Sequence, residues 1–70
     1  MMPLTFATAG EENIIKKVGG KTDVRSHLEN LGFVLGVTVK FVSAMGGNLI
    51  VNVKEARVCI SQEMAQKIMI

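Results

Sequence analysis

Three successive segments in the second half of the chain repeat their apolar residues at every second position. In the first, Val37, Val39 and Phe41 are separated by polar residues. Apolar residues also recur at every second position of 48–53 and 56–60, where Ile50 and Cys59 are among the intervening residues. A period of two places alternate side chains on one face of a strand. The gaps between the segments are short, which favours antiparallel hairpins. The pattern therefore predicts a three-stranded antiparallel meander and a mostly-β protein.

The gaps within this meander raise the question of a nucleotide site. A glycine pair such as Gly46-Gly47 can cradle phosphate only when a helix follows it, so that backbone N–H groups face the anion. The sequence that follows is the β-branched run NLIVNV, and it lacks a Gly-Lys-Ser/Thr ending. We therefore interpret the glycine pair as a hairpin tip, and the charged group KEAR at 54–57 as the opposite turn of the meander.

A short helix is predicted upstream of the meander. Thr22 is a good N-cap, and Gly32 suits the left-handed position just past a helix end. Between them, Val24, Leu28 and Leu31 fall at i, i+4 and i+7 and form one apolar stripe. Such a short helix is marginal alone, so we expect its stripe to pack on the rest of the protein.

A further strand is predicted at each end of the chain. Segment 11–18, EENIIKKV, is short, rich in Ile and Val, and bounded by glycines. Near the other end, Ser61 is predicted to cap a short helix containing Ala65 and Ile68, and 68–70 to pair as a last strand. The order is strand, helix, three strands, short helix, strand. Closure of these antiparallel strands into a small barrel would remove exposed edges.

The composition limits the class of protein further. A chain of 70 residues predicts a single domain, 1–70, with a small core. A content of 49% hydrophobic and 20% charged residues argues against disorder. There are three Phe and no Trp or Tyr, so we expect an aliphatic core.

The charges argue against a nucleic-acid partner. The formal net charge is +2, and Lys16, Lys17, Lys21 and Arg25 lie near one another in sequence. Nucleic-acid binders usually carry a denser basic stripe together with aromatic residues that stack on bases. We interpret these cations as part of a solvated surface.

The compartment is predicted to be cytoplasmic. The single cysteine, Cys59, excludes an intramolecular disulfide and suits a reducing environment. No segment approaches the roughly 20 apolar residues of a membrane span, and the N-terminal stretch lacks the basic start of a secretory signal. A membrane role is therefore expected only through a partner.

No constellation of residues predicts catalysis or a cofactor. The sequence has no carboxylate pair, nucleophile–base set or cofactor fingerprint, so we expect a protein that is not an enzyme. His27 could share a helix face with Asp23, and Cys59 is the only other soft ligand. A metal site needs three or four ligands, so no metal-binding residue is assigned and at most weak surface coordination of ferrous iron is expected.

The segment LGFVLG is the candidate for a partner surface. If Gly36 takes the positive-φ position of a type II turn, Leu35 occupies the position before it, which is usually exposed. An exposed apolar patch beside a helix end is a common partner site. The alternative, in which Leu35 folds over the barrel mouth as part of the core, stays open on sequence grounds.

These blocks together resemble the small ferrous iron transport protein A (FeoA) family. The matching stretches are MPLTFATAGEENIIKKVGG, LENLGFVLGVTV, GGNLIVNVKEARVCIS and MAQKIMI, in that order over essentially the whole chain, and the Leu-Gly-Phe-x-x-Gly turn at 31–36 is the most specific part. The resemblance implies a five-stranded SH3-like barrel with a helix inserted after the first strand, a fold also found at the C-terminus of iron-dependent repressors. Departures from the family are Leu35, where members often carry proline or a polar residue, and Cys59, where a small apolar residue is usual.

The resemblance also implies a role as a cytoplasmic accessory of the membrane-embedded ferrous iron transporter FeoB, which carries a G-protein domain. We therefore predict an interaction module that docks on FeoB, with Arg25, Leu28, Phe33 and Leu35 as candidate contact residues. Leu28 and Phe33 could instead belong to the core. Self-association is left open by the sequence.

Two alternatives compete with this prediction. Swapped-hairpin DNA-binding regulators also combine a helix, a Leu-Gly-x-x-x-Gly turn and a following hairpin, although the low charge and few arginines count against them. A free-standing iron-binding protein is the other alternative, and it would bind ferrous iron stoichiometrically.

Overall fold

The computed structural model describes all 70 residues and contains only antiparallel strand pairs. A four-stranded sheet has the order β1-β3-β4-β5, and β2 pairs with β6 in a second sheet of two strands. The elements are, in chain order, a 3₁₀ turn at Leu4–Phe6, β1 Glu12–Ile14, β2 Lys17–Val18, α1 Thr22–Asn30, β3 Thr38–Met45, β4 Asn48–Val53, β5 Ala56–Ser61, α2 Gln62–Ala65 and β6 Ile68–Met69. The predicted mostly-β class with short helices is confirmed.

The predicted meander is β3–β4–β5, with boundaries within a residue or so of the sequence expectation. Its inward faces bury Val39 on β3, Leu49, Val51 and Val53 on β4, and Ile60 on β5. These are the positions that the period of two places on one face, because successive side chains of a strand point to opposite sides. One β-bulge, between Phe41 and Ser43, shifts the register of the first hairpin.

Both predicted hairpin turns are present. The two residues of the first turn, Gly46 and Gly47, have φ of 56° and 84°. The residues of the second turn, Lys54 and Glu55, also have positive φ, 50° and 64°. Two consecutive residues with positive φ define the I′ type of turn, whose twist matches the flanking strands. The glycine pair is therefore a hairpin tip, and neither turn precedes a helix.

The first predicted strand is two strands in the structure. Segment 11–18 was predicted as one strand, but β1 pairs with β3, whereas β2 pairs with β6 in the other sheet. The chain changes partner between Ile15, whose N–H donates to the Val37 carbonyl at 3.0 Å, and Lys16, whose N–H donates to the Met69 carbonyl at 2.8 Å. Six strands result instead of about five. Local sequence does not encode this division, because both partners lie far away along the chain.

The helix α1 begins one residue earlier than predicted. Its N-cap is Lys21, which has extended φ and ψ of −71° and 163° and makes no side-chain capping bond. The Lys21 carbonyl accepts the first helical hydrogen bond, from the Arg25 N–H at 2.9 Å, so Thr22 lies inside the first turn. The predicted apolar stripe is confirmed: Leu28 is fully buried, and Val24 and Leu31 pack against the core.

The C-terminal segment follows the prediction in part. The Ser61 hydroxyl accepts a hydrogen bond from the Met64 N–H at 3.2 Å and caps α2 as expected. The helix ends at Ala65, so the prediction that Ile68 lies inside it was wrong. Ile68 is in β6 opposite Val18, which confirms the predicted last strand.

The core consists of thirteen buried apolar side chains and no buried polar one. Phe33 is its only aromatic member, and the rest are aliphatic, as the composition predicts. Leu28 and Phe33 both have no exposed surface. These two candidate contact residues therefore belong to the core in this structure.

Candidate functional site

Three open concavities lie on the surface, with volumes of about 710, 380 and 220 Å³. The largest lies between α1, β2 and the turn that follows α1, and we call it the basic groove. Its lining residues are the helical Thr22, Arg25, Ser26 and Glu29, the strand segment 16–18, and the turn segment 33–35.

The helical wall of the basic groove follows from the period of the helix. Thr22, Arg25, Ser26 and Glu29 are spaced at i, i+3, i+4 and i+7, so they share one face of α1. The opposite face carries Leu28 into the core. The buried stripe that was visible in the sequence therefore fixes which polar side chains face the groove.

The turn wall is fixed by the way α1 ends. The Phe33 N–H donates to the Leu28 carbonyl at 3.0 Å, and the Gly32 N–H donates to the Glu29 carbonyl at 3.0 Å. With Gly32 at φ 108°, these two bonds define a Schellman motif. Leu28 and Phe33, the residues that this motif brings together, are both fully buried. The chain leaves the helix in one defined direction as a result.

A β-turn over 34–37 then presents Leu35 to solvent. The Val37 N–H donates to the Val34 carbonyl at 3.3 Å, and Gly36 has φ 83°. Positive φ at the third position of a turn is the mark of type II. Leu35, at the second position, is 65% exposed. The turn is tied to the body of the protein by the Gly36 N–H, which donates to the Ile15 carbonyl at 2.9 Å.

The net positive charge of the whole chain is concentrated in this groove. The chain contains eight Lys and Arg residues and six Asp and Glu residues. The basic groove holds three of the cations, Lys16, Lys17 and Arg25, and one of the anions, Glu29. Five cations and five anions therefore remain elsewhere and balance one another. Sequence reasoning treated these cations as ordinary solvated charges.

The structure divides the four candidate contact residues into two pairs. Arg25 and Leu35 are exposed and line the basic groove. Phe33 also belongs to the lining but its side chain has no exposed surface, and Leu28 lies outside the lining. Only the first pair can contact another molecule directly. The second pair holds the helix end and the turn in place.

Sequence reasoning missed the rest of the groove, which comprises Lys16, Lys17, Val18, Thr22, Ser26, Glu29 and Val34. The one available signal was the closeness of the cations in sequence. That signal also pointed to Lys21, which does not line the groove. A helical wheel could have placed Ser26 beside Arg25, but nothing local places β2 against α1.

The potential metal ligands are dispersed. Asp23 and His27 are exposed on α1, and Cys59 is exposed on β5. No three of the His, Cys, Asp and Glu side chains lie close enough together to hold a metal ion.

Neither helix is suited to the interior of a bilayer. The longer one, α1, has nine residues, and no helix in the structure has the length and apolarity that a membrane crossing requires.

The fold and the groove together give the class of this protein. It is a small SH3-like β protein whose largest concavity is an open, positively charged surface groove. Residues 2–70 match the family model of the FeoA domain. The chain belongs to the FeoA domain family, which confirms the resemblance seen in the sequence.

A relative of known name supports this family. A protein of Methanocaldococcus jannaschii, named as a candidate Fe(2+) transport protein A, is 33% identical over 70 residues, which cover 100% of this chain and 85% of the relative. A crystal structure described as the iron uptake regulatory protein FeoA is 26% identical, with a TM-score of 0.88 over 97% of this chain and 90% of that one.

More distant structures share the fold. FeoA of Stenotrophomonas maltophilia complexed with zinc, described as an SH3 domain protein, is 23% identical with a TM-score of 0.85, over 99% of this chain and 88% of that one. ScaR with bound zinc is also 23% identical with a TM-score of 0.85, but this chain spans only 35% of it. The SH3-like fold is therefore shared with this FeoA structure and with part of the longer ScaR chain.

Proposed function

We propose that this chain is a cytoplasmic accessory protein of ferrous iron uptake that docks on a FeoB-type transporter and supports or regulates its activity. The observation that carries the proposal is the match to the FeoA domain over residues 2–70. The name of the Methanocaldococcus jannaschii relative, which refers to Fe(2+) transport, points to the same process.

The chemistry of the basic groove supports docking. Its lining combines charged groups, two hydroxyls and the exposed Leu35, a mixture that is typical of the rim and centre of protein–protein interfaces. The groove is an open surface and not an enclosed cleft. Such a surface suits contact with another macromolecule better than the envelopment of a small substrate, which needs a cavity that covers most of it.

In this proposal Arg25 and Leu35 contact the transporter, and Leu28 and Phe33 act indirectly. Arg25 offers a planar set of donors that can pair with a carboxylate in two places. Leu35 offers an aliphatic side chain at the tip of a turn that three backbone hydrogen bonds hold in place, two to Ile15 and one within the turn. Leu28 and Phe33 keep the turn beside the helix through the Schellman motif.

Co-purification of this chain with an affinity-tagged FeoB-type transporter tests the proposal. We expect Leu35→Ser to abolish or strongly reduce co-purification with an unchanged melting temperature, because Leu35 is exposed. The matched control is Ile14→Ser, which replaces another exposed aliphatic residue, 54% exposed on β1, outside the basic groove. It should co-purify as the unchanged chain does.

The proposal is wrong if the unchanged chain fails to co-purify and its deletion leaves cellular uptake of ferrous iron unaltered. It also predicts that the protein binds free ferrous iron at most weakly. The swapped-hairpin DNA-binding alternative gains nothing from the comparisons, since the family that matches is FeoA and the likeness to ScaR concerns the fold alone.

A further inference from the structure

We infer that the basic groove receives an acidic protein segment that carries an aliphatic side chain, with carboxylates beside Lys16, Lys17 and Arg25 and the aliphatic group on Leu35. The inference rests on the proposed function in one respect: the protein that carries this segment is taken to be the FeoB-type transporter. The chemistry of the segment is argued from the groove itself.

The charge of the basic groove is complementary to that of an acidic segment. The three cations of the groove face only one anion, Glu29, and carry the entire formal excess of positive charge of the chain. The rest of the surface offers five cations and five anions, so it provides no comparable attraction for an acidic partner. A patch of one sign steers an oppositely charged partner and fixes its orientation.

Leu35 offers an apolar contact at the rim of the same groove. It is 65% exposed, while its neighbour in the turn, Val34, is half-buried, so the turn offers an apolar surface that continues toward the core. Because backbone hydrogen bonds already hold the turn in place, covering Leu35 requires little additional ordering of the backbone. A partner with carboxylates alone would leave this apolar surface in contact with water.

A protein segment fits this surface better than a nucleic acid does. Single-stranded nucleic acids bind through a basic track together with exposed aromatic side chains that stack on bases. The only aromatic residue in the lining, Phe33, has no exposed surface, and the cations number only three. The aliphatic Leu35 provides no such platform.

Three synthetic peptides test the ligand chemistry directly. The first is rich in glutamate with one central leucine, the second has glutamine in place of every glutamate, and the third has serine in place of the leucine. They are titrated into the ¹⁵N-labelled full chain at low ionic strength. We expect the first to shift the amide signals of 16–18, 22–29 and 33–36, and the other two to bind at least about threefold more weakly, which is the effect of losing one modest contact.

Two arginine reversals provide a matched pair of variants. Arg25→Glu should weaken binding of the glutamate–leucine peptide roughly three- to thirtyfold, because it removes an attraction and adds a repulsion. Arg57→Glu makes the same change of charge on β5, outside the groove, and should change binding less than about twofold at moderate salt. Both residues are exposed, so neither substitution should alter the melting temperature.

The outcomes separate the inference from the proposed function. Three results would overturn the inference. The glutamate and glutamine peptides could bind equally, or the two arginine reversals could have equal effects. A single-stranded oligonucleotide or inorganic phosphate could also bind more tightly than the peptide at the same amides. Co-purification with the transporter that persists in Arg25→Glu and at high salt would also overturn the inference, together with the contact role of Arg25, but leave docking on the transporter intact. Peptide binding without any co-purification would leave the groove chemistry standing and remove the transporter as the partner.

Discussion

The meander and the basic groove are built in opposite ways. The meander consists of one continuous stretch, 38–61, in which each strand pairs with the next through a two-residue turn. The groove combines three separate stretches, 16–18, 22–29 and 33–35. The meander provides most of the buried strand residues, whereas the groove carries the unbalanced charge and an exposed leucine. A scaffold of local pairings thus supports a surface that only the complete fold assembles.

The sharpest test of this contrast compares two residues of the same turn wall. Phe33→Ala should destabilise the protein by about 3–5 kcal/mol, since it empties the largest fully buried side chain. A domain of this size has a total stability of roughly the same magnitude, so the variant should be largely unfolded at room temperature. Leu35→Ala, two residues away, should change stability by less than about 0.5 kcal/mol. Urea unfolding followed by circular dichroism measures both, and similar losses would contradict the division into core and contact residues.

The glycine that ends α1 gives the next largest effect. Gly32→Ala should cost about 1–2 kcal/mol, because a side chain at φ 108° is strained even though the space around its Cβ is adequate. Thermal melting measures this loss. Gly19→Ala is the control: that glycine has no positive φ, and its Cβ would lie 3.5 Å from the Lys67 carbonyl oxygen, an ordinary contact. An equal loss in both variants would mean that the Schellman motif is not what positions the turn.

The second hairpin turn can be improved, which tests the meander as a purely structural region. Lys54 and Glu55 adopt positive φ that non-glycine residues disfavour. Replacement of both, Lys54→Asn with Glu55→Gly, supplies the preferred residues of a I′ turn and should stabilise the protein by about 1 kcal/mol. Its melting temperature should rise by roughly 4–8 °C. Binding of the glutamate–leucine peptide at the basic groove should be unchanged. A change in peptide binding would show that the hairpin turn and the groove are coupled, which contradicts the separation of the meander from the groove.

The smallest effect is expected for metal binding. Asp23 and His27 are exposed on α1 without a third ligand nearby. Anaerobic calorimetric titration with ferrous iron should give at most weak binding, and His27→Ala should leave the isotherm within error of the unchanged chain. Stoichiometric tight binding that His27→Ala removes would instead favour the free-standing iron-binding protein.

Sequence patterns identified the scaffold and named two exposed residues of the basic groove, Arg25 and Leu35, for physical reasons that differ by region. The alternation of Leu49, Val51 and Val53 was sufficient to predict a strand and its buried face, because alternate side chains of a strand lie on the same side. Gly36 signalled the turn type, but the sequence left open whether Leu35 is exposed or folded into the core, and the structure exposes it. Phe33 could not be assigned to core or surface, because its burial depends on a core cluster whose members come from the whole length of the chain.

The sequence by itself determined the three strands of the meander, both hairpin turns, the buried stripe of α1 and, through full-length resemblance, the family. These features follow from residue periodicity and from backbone preferences that act over a few positions. Only the tertiary structure decided that segment 11–18 divides between two sheets and that Lys16 and Lys17 face Arg25 across a groove. Both features depend on contacts between residues that are distant in sequence. Burial of the whole core selects these contacts, because local backbone preference does not distinguish between the possible partners.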